Sequence, residues 1–128
     1  MADPQIVREG LKKADEDLNF ASSIVDDSPF YAQFCFHFHQ ATEKYFKAFI
    51  VANDLEFKKI HDLIVLHKAC MVKARKPLID DCKVLNRYYI YTRYPIHWRS
   101  EYNKNETLMA QKAARNIALM IKEKIRSQ

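Results

Sequence analysis

The stretch that decides the fold of this 128-residue chain is FYAQFCFHFHQATEKYFKAFIVAN, residues 30–53. Wound into a helix, it would carry aromatic and aliphatic side chains around most of its circumference, which is typical of a helix buried on most sides. One narrow polar stripe interrupts this pattern at 4-3-4-3 spacing: Gln33, His37, Gln40, Lys44 and Lys47. We therefore expect this helix to lie at the centre of a bundle.

Amphipathic patterns on either side predict four more helices. The first begins near Pro4, and its apolar residues are spaced by three and four: Val7, Leu11, Ala14, Leu18, Ala21 and Val25. Asp62 is the better candidate to cap a short third helix. A fourth helix takes Pro77 into its first turn and ends before Pro95, and the last takes Asn105 as its N-cap.

The composition agrees with helices and disfavours sheets. The chain contains one glycine and four prolines, whereas tight hairpins and phosphate-cradling loops need several glycines. We therefore predict an all-α fold, an antiparallel up-and-down bundle of about five helices that forms one domain over residues 1–128.

The charge is unevenly distributed along the chain. Residues 1–27 carry a net charge of −4, and the remaining 101 residues carry +9, so that the chain totals +5. A positive field of this kind attracts a polyanion or an acidic partner, although lysines on solvated helix faces produce the same count.

The three cysteines predict a reducing environment. Cys35, Cys70 and Cys82 are far apart and form no Cys-x-x-Cys pair, which is typical of free, buried thiols. The sequence has no recognisable signal peptide and no apolar run long enough to span a membrane. These features together predict a cytoplasmic protein.

The stretch LNRYYIYTRYP, residues 85–95, contains four tyrosines and two arginines. Flat rings with fixed positive charge suit phosphate and base recognition, and the same residue types are enriched at protein–protein interfaces. The stretch therefore predicts a binding surface, either for a nucleotide or nucleic acid or for another protein.

Three motifs, in this order, resemble the HEPN domain: QATEKYFKA at residues 40–48, HDL at residues 61–63 and YYIYTRYP at residues 88–95. The resemblance implies a five-helix bundle that is commonly a homodimer. It also implies binding of a nucleotide, of RNA or of a minimal nucleotidyltransferase partner, in a toxin–antitoxin or accessory pair.

Many HEPN proteins are metal-independent ribonucleases that carry an arginine, then four to six residues, then a histidine. Here Arg93 and His97 are separated by three residues, with Pro95 between them. This departure favours a binding domain over an enzyme. The alternative is an endoribonuclease that uses Arg93 and His97, and a third class is a dimeric scaffold in which the tyrosines and Trp98 form the interface.

Arg93 is the main candidate ligand-binding residue. Its guanidinium suits a phosphate or carboxylate, with Tyr91 or Tyr94 stacking nearby. The alternative is an internal ion pair of Arg93 with Glu43 or Asp62.

The polar stripe supplies the other candidates: Gln40, Lys44 and Lys47, with His37 on the same side, would line a phosphate groove or else form a solvent-facing helix edge. His61 is either a polar member of the site or part of a capping turn, and His39 with Glu43 would form a local pair at the bundle edge. The histidine spacing offers no metal-binding motif, so we expect neither a metal nor another cofactor.

Overall fold

A computed structural model describes residues 3–56, 59–93 and 102–127, with only the backbone described for residues 90–93. The described residues form five helices and no strand: α1 (Pro4–Ile24), α2 (Tyr31–Ala52), α3 (Leu63–Ala74), α4 (Ile79–Arg93) and α5 (Lys104–Arg126). The predicted all-α bundle is confirmed.

Helix α2 is the centre of the bundle, as its sequence predicts. It packs against each of the other four helices. The residues that fill the core from α2 are mainly aromatic: Phe34, Phe38, Tyr45, Phe46 and Phe49 are all buried. Burying such side chains contributes roughly 1.5–3 kcal/mol each to folding, so this helix holds the bundle together.

Helix α1 lies antiparallel to α2. It begins at Pro4, where the side chain of Asp3 accepts a hydrogen bond from the Gln5 amide at 2.9 Å, as in a regular N-cap. Its predicted apolar stripe faces the core, with Val7, Ala14, Leu18, Ala21 and Val25 buried. Because the stripe uses one face only, Asp17 of α1 remains beside the polar stripe of α2, where it pairs with Lys44.

Helix α3 is capped by Asp62, as predicted. The Asp62 carboxylate accepts hydrogen bonds from the amides of Ile64 (2.9 Å) and Val65 (3.4 Å). Asn86 of α4 also binds this turn. Its side chain donates a hydrogen bond to Asp62 at 3.1 Å and accepts one from the Leu63 amide at 2.8 Å. The start of α3 is therefore fixed to α4.

The starts of the last two helices differ from the prediction. Helix α4 begins at Ile79, so Pro77 precedes its first turn, and the Leu78 amide donates to His67 Nε2 at 2.9 Å. The N-cap of α5 is Asn103, not Asn105. The reason is that Glu106 completes a capping box with Asn103, which satisfies two backbone amides at once.

The three cysteines are free and buried, which confirms the prediction for the thiols. Burial raises the pKa of both Cys70 and Cys82 to about 12, so these thiols are unreactive at neutral pH. In the part of the chain that the structure describes, no helix combines the length and the apolar character needed to cross a membrane.

Candidate functional site

The polar stripe of α2 is divided between two ion-pair clusters. The first, here the Glu43 triad, consists of Glu43, Lys47 and His61. The Glu43 side chain is only 8% exposed, and its two carboxylate oxygens contact different partners: His61 Nδ1 at 2.9 Å and Lys47 Nζ at 3.0 Å. One buried carboxylate thus fixes both a lysine of α2 and a histidine that precedes α3.

Tyr89 of α4 completes the surroundings of His61. The two rings are stacked, with centroids 4.8 Å apart and planes inclined by 17°. The buried ring of His39 also lies near Tyr89, with centroids 5.6 Å apart. The His61 side chain nevertheless remains 43% exposed, so a fixed imidazole is presented at the surface between α2, α3 and α4.

The second cluster, here the Asp17 triad, consists of Asp17, His37 and Lys44 and joins α1 to α2. Lys44 Nζ lies 2.5 Å from the Asp17 carboxylate, whereas His37 Nδ1 lies 3.6 Å from it, beyond hydrogen-bonding distance. The His37 ring instead packs edge-on against Phe20 and Phe36. This triad therefore belongs to the packing of α1 against α2.

The structure separates the predicted stripe candidates into two places. His61 and Lys47 come together through Glu43, whereas His37 and Lys44 lie beside Asp17 on the α1 side. Gln40 sits next to His39, with Gln40 Nε2 3.5 Å from His39 Nδ1. The predicted position of His39 and Glu43 at the bundle edge is wrong, because the core packing of α2 buries both side chains.

The candidates at the end of α4 lie outside the described atoms or residues. Tyr91 and Arg93 belong to α4, but their side chains are not among those described, and Tyr94, His97 and Trp98 lie outside the described residues. Arg93 is the last residue of α4, one helical turn after Tyr89. The roles assigned to these five residues stay predictions.

Sequence reasoning missed Glu43 and Tyr89 as members of the site around His61. A signal for Glu43 was present, because a charged residue between apolar neighbours on a buried helix needs a partner. Tyr89 offered no such signal, since its stretch contains four tyrosines of the same type.

The described residues offer no metal centre. Among residues 3–56, 59–93 and 102–127, no group of three or more His, Cys, Asp or Glu side chains is arranged to hold a metal ion. The Glu43 triad provides instead an oriented imidazole and an ammonium group, and Tyr89 adds an aromatic ring. Together these groups suit an anionic ligand with flat rings.

These features define an all-α, five-helix domain with a polar cluster where α2, α3 and α4 meet. The family model of the HEPN domain matches residues 7–125, and the chain belongs to this family. The recognition made from the three motifs is thereby confirmed.

Two solved structures share the fold over nearly their whole length. TT1696 from Thermus thermophilus is 27% identical, with a TM-score of 0.82, and the match covers 92% of this chain and 97% of TT1696. ST0689, an archaeal HEPN homologue, is 23% identical, with a TM-score of 0.74, and the match covers 93% of this chain and 97% of ST0689. No curated protein matches the chain significantly.

Proposed function

We propose that this HEPN domain is a homodimer that binds RNA or a nucleotide at the surface formed by the Glu43 triad and Tyr89. The observation that carries the proposal is the exposed His61 ring, fixed by the Glu43 carboxylate at 2.9 Å and stacked on Tyr89. Stacking of a nucleobase on such a ring contributes roughly 1–3 kcal/mol to binding, whichever base it is.

Positive charge supports an anionic ligand at this surface. Lys47 lies in the same cluster, and residues 28–128 carry a net charge of +9. The predicted phosphate ligand Arg93 ends α4 one turn beyond Tyr89. We assign the Asp17 triad to helix packing, because its histidine packs between aromatic rings.

Salt-dependent RNA binding tests the proposal. Fluorescence anisotropy with a labelled single-stranded RNA should show affinity that falls with salt concentration, and Lys47→Met should reduce the slope of log K against log salt by about 0.7, the share of one phosphate contact. The control is Lys104→Met, which removes an exposed lysine paired with Asp26 at 3.2 Å and should leave the slope unchanged. Equal slopes in the two variants, or no binding by the parent, would contradict the proposal.

Dimerisation and a minimal nucleotidyltransferase partner are further parts of the proposal. Exposed apolar side chains on α3 and α5, such as Val72 and Leu119, support a contact with a second chain. Light scattering should give the mass of two chains, and a mass of one chain would remove the dimer from the proposal while leaving the RNA-binding test unaffected.

A further inference from the structure

We propose that α1 forms the contact between the two subunits of the dimer, and that Phe20 of each subunit inserts into a groove beside Gly10 of the other. The inference rests on the proposed homodimer and gives the position of its interface. The exposed apolar side chains of α3 and α5 are then left for the proposed nucleotidyltransferase partner.

The groove lies between α1 and α2, at the only glycine of the chain. A Cβ atom placed on Gly10 would lie 3.5 Å from the Ala48 Cβ, so the two helices approach closely there. Ile6 and Val51 also line the groove, whose surface is almost entirely apolar over a volume of about 190 Å³. An apolar cavity of about 150 Å³ binds benzene, whereas sites for small molecules usually occupy about 300–1,000 Å³. The groove therefore suits a single phenyl ring.

The same face of α1 carries an exposed phenyl ring. Spacings of four, three, four and three residues place five side chains on this face: Ile6, Gly10, Lys13, Asp17 and Phe20. The Phe20 ring meets His37 edge-on and remains 52% exposed. Gly10 and Phe20 are ten residues apart, which is about 15 Å along the helix. One helix face thus presents both the groove and a ring of the size that fits it.

Such a face is complementary to a second copy of itself. A two-fold axis makes every contact occur twice, with the same residues from each subunit. When two α1 helices run antiparallel and the axis lies midway between Gly10 and Phe20, Phe20 of the partner subunit lies at the level of Gly10. Both rings and both grooves are then removed from water by one interface, which is the condition for a stable contact.

The charges on α1 favour the antiparallel arrangement. Lys13 borders the groove, and Glu16 lies one turn before the ring. Both side chains are exposed, and neither forms an ion pair with another side chain that the structure describes. Lys44 and Lys47, which also border the groove, are paired within the subunit. Antiparallel helices bring Lys13 close to Glu16 of the partner subunit, whereas parallel helices would set Lys13 against Lys13.

The experiment measures the dissociation constant of the dimer by sedimentation equilibrium, and circular dichroism checks that each variant is folded. Phe20→Ala should raise the dissociation constant at least about tenfold, because an aromatic side chain that fills a pocket contributes most to an interface. The matched control is Phe30→Ala, which removes a ring that is 60% exposed and lies outside α1. This control should stay within about twofold of the parent.

A charge exchange tests the antiparallel pairing. Lys13→Glu and Glu16→Lys should each raise the dissociation constant about fivefold or more, because like charges then face each other at two symmetric places. The double variant that carries both substitutions should return to within about twofold of the parent. Because the double variant has the net charge of the parent, its recovery reports the pairing and not the total charge.

Two results would overturn the inference and leave the dimer intact. One is a Phe20→Ala variant that dimerises as tightly as the parent, and the other is a double variant as weak as the two single ones. In either case the groove would be left to a partner other than a second copy. A parent with the mass of one chain would overturn the proposed dimer and the inference with it, and RNA binding would still be decided by its own test.

Discussion

The Glu43 triad and the Asp17 triad each combine a carboxylate, a lysine and a histidine around α2, and they differ in burial and in geometry. Glu43 is 8% exposed and Asp17 is 20% exposed. The histidine nitrogen lies 2.9 Å from the carboxylate in the Glu43 triad and 3.6 Å from it in the Asp17 triad. Only His61 is therefore held by a hydrogen bond.

The difference shows how the surroundings of a carboxylate decide what a neighbouring histidine can do. A buried carboxylate must use both of its oxygens, because water cannot satisfy them, and so it fixes each partner in one geometry. A more exposed carboxylate binds its lysine and leaves the histidine to its aromatic neighbours. The same residue types thus give an oriented imidazole in one place and a packing contact in the other.

The largest effect on stability should come from removing the buried carboxylate. We expect Glu43→Ala to lower the free energy of unfolding by about 2–3 kcal/mol, because two charge-assisted hydrogen bonds, to Lys47 and His61, are lost. Asp17→Ala should cost about 1 kcal/mol or less, as is usual for ion pairs near the surface. Urea unfolding followed by circular dichroism measures both variants. Equal losses would remove the distinction between the two triads.

A smaller effect, which depends on pH, should come from His67. None of the contacts described for this histidine is with a carboxylate. Burial lowers the pKa of His67 below its ordinary value of 6.5, and its Nε2 accepts a hydrogen bond from the Leu78 amide at 2.9 Å. The unfolded chain thus binds this proton at higher pH than the folded chain does. The contribution of neutral His67 to the free energy of unfolding should be fully present above about pH 6.5. It should be lost as the pH drops through the folded pKa, by at most about 1.4 kcal/mol per pH unit.

The check is the pH dependence of the unfolding free energy between about pH 7.5 and about pH 5.5. His67→Gln keeps an acceptor for Leu78 and removes the titrating group, so this variant should lose that part of the pH dependence. His37→Gln is the matched control and should keep it. If the parent and His67→Gln show the same slope, His67 is not held neutral in the fold.

Much of the fold follows from the sequence, because its signals are local. The apolar stripe of α1 and the aromatic circumference of α2 predict these two helices, and Asp62 is recognisable as a cap. The N-cap of α5 was misplaced by two residues, because Asn103 and Asn105 are both good caps by type. Only the capping box with Glu106 separates them.

The candidate site was predicted less completely, because its contacts join residues that are distant in the chain. Glu43 and His61 are 18 residues apart, and their contact depends on where the connection after α2 places the start of α3. The polar stripe was recognised from its period, but the period does not show that Lys44 pairs with Asp17 of α1. That contact depends on the packing of α1 against α2.

The measurement that tests the central claim most directly is nuclear magnetic resonance of the histidine ring nitrogens, before and after addition of 2′-O-methyl RNA. The account predicts that the neutral ring of His61 carries its hydrogen on Nδ1 and that its signals shift on RNA binding, whereas those of His37 do not move. Signals of His61 that show the hydrogen on Nε2, or that remain unchanged while bound RNA shifts those of His37, would contradict it.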